Sequence, residues 1–185
     1  MAGIENLDDF VGSASLAQAA AFSAACAERA SSVLFWVVAG ESRDADLDFY
    51  RHVLETLWNG PADVDHAALR RELEQLPELT RGDELTGAAA FAYQGALALH
   101  AALSLHAEQN VSVVRECSSV SRNYAFRLGR RCGADLLPEE DRIQGEEMSR
   151  LLAGTAEECA PAMRADSAAV GRERLAVAVS YFAAR

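Results

Sequence analysis

The stretch SLAQAAAFSAACAERASSVLFWVVAG, residues 15–40, contains only two formal charges, Glu28 and Arg29, side by side at its centre. Ser15 and Gln18 match the capping-box pattern, and Gly40 is the kind of residue that ends helices, so the stretch predicts a helix over about residues 16–39. Apolar or small residues would occupy nearly every face of that helix. Such a pattern is typical of a helix that is buried on all sides.

The two central charges need partners, because a buried charge must be paired or neutralised. Neighbouring residues diverge by about 100° on a helix, so Glu28 and Arg29 are poor partners for each other. We expect each of them to contact a side chain from another helix. For Glu28 the candidates are arginines in a later helix: Arg115, Arg122 and Arg127. Two interpretations remain open, namely ion pairs that fix the register of the helices, or a polar pocket between helices.

A second stretch, from Gly87 to Gln109, also predicts a helix that is buried on most sides, since no Asp, Glu, Lys or Arg occurs between Glu84 and Glu108. Alanine is abundant and proline occurs only four times, which favours helix throughout. The sequence predicts an all-α fold, a compact helical bundle of about six to seven helices in one domain over residues 1–185. The helices at 16–39 and 87–109 are expected to be central.

The other predicted helices are mostly amphipathic, and they lie at about residues 43–58, 65–76, 111–131, 138–158 and 167–182. Ser42 is the expected cap of the first of these helices. Pro77 is expected to close the second and to precede a polar loop, ELTRGDEL. Pro161 is expected to interrupt the chain before the last helix.

The charge balance limits the partners. The chain has 17 positive and 28 negative residues, a net charge of -11 and a pI near 4.8, so it repels polyanions and attracts basic partners. We therefore expect no nucleic-acid partner and no membrane partner, and either a protein partner or self-association. The helix at 16–39 is long enough to span a bilayer, but each central charge would cost ~2.5–3.5 kcal/mol there. Every cation is an arginine, which excludes chemistry that needs a lysine.

The four cysteines, Cys26, Cys117, Cys132 and Cys159, are widely spaced and form no C-x-x-C motif. Free thiols in a reducing compartment are the expected state. The N-terminal segment MAGIENLDDF is acidic, unlike a secretory signal. These features predict a cytoplasmic location.

An apparent calcium loop begins at Asp44, with Asp46, Asp48 and Glu55 at its ligand positions. Such a loop needs glycine at its sixth position for a sharp turn, and Phe49 occupies that position here. The segment also has continuous helical periodicity. We interpret the match as a coincidence.

Histidines and tryptophans give no recognisable catalytic or metal motif either. A di-iron bundle requires Glu-x-x-His, which does not occur, and His100 and His106 are six residues apart, so they face different directions. Trp36 and Trp58 are expected to anchor the core. We expect no metal, no cofactor and no catalytic residue.

Three blocks of the chain resemble a known bacterial family. They are AFSAACAER followed by DLDFYRHVLETLWNG, then the alanine-rich block TGAAAFAYQGALALHAALSLHAEQNVSVVRECSSVSRNYA, and finally EEDRIQGEEMSRLL. These blocks are similar to the YjaG-like family, also called domain of unknown function 416. The resemblance covers roughly residues 7–152, and residues 152–185 form a helical extension beyond it. It implies an all-helical cytosolic protein of unknown function, and it provides no catalytic residues.

Two functions from different classes fit these features. The first is a non-enzymatic protein-interaction or regulatory module, for which a toxin-neutralising role would suit the acidic charge. The second is a small-molecule-binding protein or enzyme with an interhelical pocket near Glu28, Arg29, Tyr93 and His100. A deep cavity at these residues would favour the second function, and a filled core would favour the first.

Overall fold

A computed structural model describes residues 2–60 and 63–184, and 85% of the structure is helical. The all-α class is confirmed, and the described residues contain no strand. They form nine α-helices: α1 (Ala2–Ser13), α2 (Leu16–Gly40), α3 (Asp44–Asn59), α4 (His66–Leu73), α5 (Pro77–Arg81), α6 (Ala89–Glu108), α7 (Val114–Cys132), α8 (Leu137–Ala153) and α9 (Ala156–Phe182). Two 3₁₀ turns, Gly82–Glu84 and Val111–Val113, complete the order.

The helix count exceeds the predicted six to seven because two short helices add to it, and the C-terminal part also divides at a different place. The additional short helices are α1, in the N-terminal segment, and α5. The predicted helix at 138–158 already ends at Ala153. A capping box between Thr155 and Glu158 then starts α9, and Pro161 lies inside α9 without ending it.

Two predicted helix signals were wrong. Ser42 does not cap α3, because its backbone is left-handed, with φ of 56°, and the N-cap is Arg43, which makes no side-chain capping bond. Pro77 does not simply close α4. It opens α5 at a first-turn position, where its missing N–H costs nothing. The segment expected to be a loop therefore contains α5 and a 3₁₀ turn.

Helix α2 is the central helix of the bundle and lies between α6 and α9. A Cβ atom on Gly95 of α6 would lie 2.8 Å from the carbonyl oxygen of Ala30. A Cβ atom on Gly171 of α9 would lie 2.6 Å from Ser32 Oγ and 3.2 Å from the carbonyl oxygen of Glu28. Because both neighbours place glycine against α2, the helices approach too closely to leave a cavity between them.

Among the described helices, α2 is the one that is long and apolar enough to cross a membrane, judged by length and composition. In its most apolar window, 72% of the residues are buried inside the protein. The C-terminal part of α2 packs with α3, α6 and α7 around Leu34 and Tyr124, and its N-terminal part packs with α1, α8 and α9 around Phe22. The apolar faces of α2 therefore build the core.

Candidate functional site

Arg29 is the centre of a buried ion network that joins four helices. Its side chain is 0% exposed, and its guanidinium donates to Glu140 at 3.1 Å and to Glu147 at 2.5 Å. Arg174 of α9 donates to the other oxygen of Glu140 at 2.7 Å. Ser121 of α7 donates to Glu140 Oε1 at 2.7 Å. The network thus ties α2, α7, α8 and α9 together.

The two carboxylates of this network differ in acidity. Burial alone would raise the pKa of Glu140, but the guanidinium groups of Arg29 and Arg174 hold that pKa at about 2. Burial raises the pKa of Glu147, and repulsion from Glu140 adds to the effect, while Arg29 opposes it. Glu140 is therefore the permanent anion that two arginines share. The network is a structural element of the core.

Glu28 faces a different set of helices. Trp58 of α3 donates its indole N–H to Glu28 Oε2 at 2.9 Å, and Arg164 of α9 lies 4.0 Å from the same oxygen. Arg164 also pairs with Glu55 of α3. Burial raises the pKa of Glu28, opposed by the Trp58 hydrogen bond and by Arg164.

The expected partners of Glu28 were wrong, because the three arginines of α7 contact other groups. Arg115 pairs with Asp8, Arg122 pairs with Asp141, and Arg127 donates to Asn123.

The four residues expected to line one pocket do not do so. Arg29 lies in the core, and Tyr93 packs beside Gly82, where an added Cβ atom would lie 3.4 Å from the tyrosine ring. His100 Nε2 lies 2.9 Å from Glu74 Oε1 at the surface. The close contact of α2 with α6 leaves no room for the expected interhelical pocket. A well-formed cleft lies elsewhere, and none of these four residues lines it.

That cleft, which we call the histidine cleft, has a volume of about 610 Å³. Its walls come from the N-terminal part of α2, the end of α3, the start of α4, the end of α6 and the start of α9. Most of the lining is small or apolar: Ala17, Ala20, Ala21, Leu57, Trp58, Val64, Ala67, Ala107, Ala156 and Ala160. The formally charged residues among its lining are Asp65 and Glu157, both acidic.

Two stacked histidines form the polar feature of the histidine cleft. The rings of His66 and His106 lie 4.4 Å apart between centroids, with 12° between their planes. Burial lowers the pKa of His106 to about 4, and the neighbouring His66 adds to the effect. Burial also lowers the pKa of His66. Both rings are therefore neutral at pH 7, and His106 Nε2 is buried without a hydrogen-bond partner.

The surroundings of the two histidines limit the chemistry that their rings offer. In the described part of the chain no carboxylate hydrogen-bonds to His66 or His106, so neither has the orienting partner of an acid–base pair. Stacked rings direct their nitrogen lone pairs along parallel planes, so the lone pairs do not converge on one ion. Across residues 2–60 and 63–184, no group of three His, Cys, Asp or Glu residues could hold a metal.

Sequence reasoning missed the histidine cleft because its residues come from five helices. Trp58 was expected to be only a core anchor, yet it lines the cleft while it donates to Glu28. His66 and His106 are 40 positions apart in the sequence, and no local pattern links them. The packing of α4 on α6 brings them together.

No protein-family model, no curated protein and no solved structure matches this chain. The geometry and charge of its own surface are therefore the guide to its function.

Proposed function

We propose that this protein is a non-enzymatic interaction module that binds a basic segment of a protein partner. In this proposal, an apolar or aromatic side chain of the partner enters the histidine cleft, and its flanking cations face the acidic rim. The observation that carries the proposal is a cleft of about 610 Å³ with an apolar wall and only negative formal charges among its described lining.

The chemistry of the wall supports this choice of ligand. Alanine side chains leave space for a large side chain, and the flat surfaces of Trp58, His66 and His106 offer faces on which an aromatic ring packs well. Asp65 and Glu157 at the cleft, together with the net charge of -11, attract a cationic segment. A regulatory protein that neutralises a basic toxin would have these properties.

A small-molecule ligand in the same cleft is the second candidate function. The volume favours it, since small-molecule sites commonly enclose about 300–1,000 Å³. The sequence predicted a ligand pocket near Glu28, Arg29, Tyr93 and His100. This candidate function places the ligand in the histidine cleft instead.

We further propose that the protein acts in the cytoplasm, without a membrane or a nucleic acid as its partner. The free thiols of all four cysteines support a reducing compartment, and Cys26, Cys117 and Cys159 are buried. The burial of most of α2 supports a role for that helix in the core rather than in a bilayer.

A peptide-display selection tests the proposed function. The purified protein is used to select from a random library of about twelve-residue peptides, a length that spans a cleft of this size when extended. We expect enriched peptides to combine an aromatic residue with arginine or lysine. Their binding should be lost in Ala17→Trp, which fills the cleft from an exposed position of α2.

The matched control is Ala165→Trp, the same change at an exposed position of α9 outside the cleft lining. Enrichment of acidic peptides, or binding that survives Ala17→Trp, would contradict the proposal. Failure to select any peptide, combined with binding of aromatic fragments that Ala17→Trp abolishes, would support the small-molecule alternative.

A further inference from the structure

A second cleft, at the opposite end of α6, has the reverse charge. It has a volume of about 530 Å³ and lies between the N-terminal end of α6 and the C-terminal half of α7. We call it the arginine cleft. Its lining consists of Thr86, Gly87, Ala90, Phe91, Phe126, Arg127, Arg130 and Arg131, and the described lining includes no acidic residue.

The three arginines of this cleft lack a carboxylate partner among the described residues. Most other arginines of the described residues take part in ion pairs, such as Arg122 with Asp141. By contrast, Arg127, Arg130 and Arg131 form no ion pair with a described carboxylate. Arg127 donates to the Asn123 side chain at 3.2 Å. Arg130 lies 5.7 Å from the centroid of the Phe126 ring, and Arg131 lies 5.8 Å from the centroid of the Tyr181 ring. Three cations crowd together here without compensation, in a chain with a net charge of -11.

Phe126 gives this cationic surface an apolar floor. It is 43% exposed, and Leu152 is the other large hydrophobic residue that is similarly exposed among those described. Phe91 of α6 also lines the cleft. The exposed ring between arginines offers an aromatic face on which a flat ligand can stack.

The helix termini account for only part of this arrangement. Arg130 and Arg131 lie in the last turn of α7, where cations favour the helix dipole. That effect explains neither Arg127 nor the exposed ring of Phe126. The start of α6 adds to the positive potential, since its N-cap residue Ala88 makes no side-chain capping bond.

We propose that the arginine cleft binds a small aromatic anion, with a flat ring on Phe126 and a phosphate or carboxylate facing Arg127, Arg130 and Arg131. Arginine forks bind both kinds of anionic group by paired hydrogen bonds. A small anion avoids the repulsion that a long polyanion would meet from the rest of the acidic surface, because charges beyond about 8 Å are largely screened at physiological salt.

This inference is independent of the proposed function. Ala90 lines the arginine cleft and His106 lines the histidine cleft. They lie on the same helix, about 24 Å apart at 1.5 Å per residue. A small ligand in one cleft therefore does not reach the other, so each proposal has its own variants and its own outcome.

The test is titration of the whole protein with phenyl phosphate, benzoate, inorganic phosphate and phenol, followed by amide chemical shifts in NMR spectra. We expect both aromatic anions to bind about tenfold or more tightly than inorganic phosphate, and phenol not to bind. Shift changes should cluster at residues 86–91 and 126–131.

Variants separate the ring contact from the charge contact. Phe126→Ser should weaken phenyl phosphate binding but leave inorganic phosphate unchanged, and the matched control Leu152→Ser should change neither. Arg130→Gln should weaken both by about tenfold, whereas Arg172→Gln, at an exposed position of α9, should not. Equal affinity for inorganic and phenyl phosphate would mean an adventitious ion only, and would overturn the proposal. Shift changes elsewhere, or binding that survives Arg130→Gln, would also overturn it.

Discussion

The network around Arg29 and the histidine cleft both place polar side chains in apolar surroundings. The network pairs its charges with opposite charges, whereas the cleft keeps its histidines uncharged. In the network, the charges of Arg29 and Arg174 are paired with Glu140, which lies within hydrogen-bonding distance of both. In the cleft, His66 and His106 have no carboxylate partner, and burial keeps them neutral.

This difference distinguishes polar groups that stabilise the fold from polar groups that remain open to a ligand. Paired charges hold helices together, and removal of one partner destabilises the fold because the other charge stays buried and unpaired. Uncompensated polar groups at a cleft remain available to a ligand, at some cost in stability. Glu28 and Arg29 are adjacent but face different regions, because Arg29 points into the network and Glu28 accepts the indole N–H of Trp58, which lines the cleft.

The largest effect is expected for Glu140→Gln, which removes the carboxylate that two buried arginines share. We expect a loss of about 3–5 kcal/mol in the free energy of unfolding, since a buried charge is left without compensation. Urea denaturation at pH 7 measures it. Glu173→Gln, an exposed change on α9, should stay within about 0.5 kcal/mol of the wild type. Equal urea midpoints for the two variants would refute a structural role for the network.

The second largest loss in the free energy of unfolding is expected for Arg29→Met, which we compare with Glu28→Ala at the adjacent residue. Arg29→Met should cost about 2–4 kcal/mol, somewhat less than Glu140→Gln, because Glu147 has a raised pKa and neutralises by taking up a proton. Glu28→Ala removes one hydrogen bond at a partly exposed site and should cost about 1 kcal/mol. Urea denaturation of both variants provides the comparison. If Glu28→Ala proved as destabilising as Arg29→Met, the division between network and cleft would be wrong.

A pH dependence distinguishes the histidine cleft from the network. Since the folded-state pKa of His106 is about 4, below its ordinary value of 6.5, unfolded chains take up protons first as the pH falls. The stabilising contribution of neutral His106 is therefore full above about pH 6.5 and is lost between pH 6.5 and 4. Because the ring is partly exposed, we expect a loss of about 1–2 kcal/mol.

Denaturation of the wild type and of His106→Gln at pH 7 and pH 4.5 isolates this contribution from that of the carboxylates. The wild type should lose more stability than the variant over this interval. An identical loss in both proteins would show that His106 does not titrate differently in the folded state.

The smallest change in stability is expected for Ala17→Trp. Its position on α2 is exposed, so the free energy of unfolding should change by about 0.5 kcal/mol or less. Binding of a selected basic peptide should nevertheless be lost. Thermal melting and peptide titration of the same samples measure both quantities. If Ala17→Trp lost peptide binding only because it unfolded, the prediction that the cleft binds the peptide without stabilising the fold would be wrong.

Local patterns predicted much of the fold. The capping box of Ser15 and Gln18 is present in the structure, and the helix it starts ends at Gly40, as the sequence indicated. The cap at Ser42 failed because the backbone there is left-handed, a property that residue preferences do not reveal. Local signals therefore predicted the start and the end of α2 but not the start of α3.

Contacts between distant helices were not predictable from the same patterns. Arg29 contacts residues 111 and 118 positions later in the chain, and the sequence offers 28 acidic residues as candidates. The burial of Arg29 follows from the apolar character of its helix, but the choice of Glu140 and Glu147 depends on tertiary packing. The histidine cleft depends on tertiary packing in the same way.

The position of α9 against α2 has a consequence for how the protein is made. During translation α2 leaves the ribosome early, while Glu140, Glu147 and Arg174 follow more than a hundred residues later. Until then, the charge of Arg29 has no anion to accompany it into the core, and Gly171 is not there to cover the backbone of α2. The face of α2 that α9 covers therefore stays exposed until those later residues have been made. That interval is when a chaperone would have the most to bind.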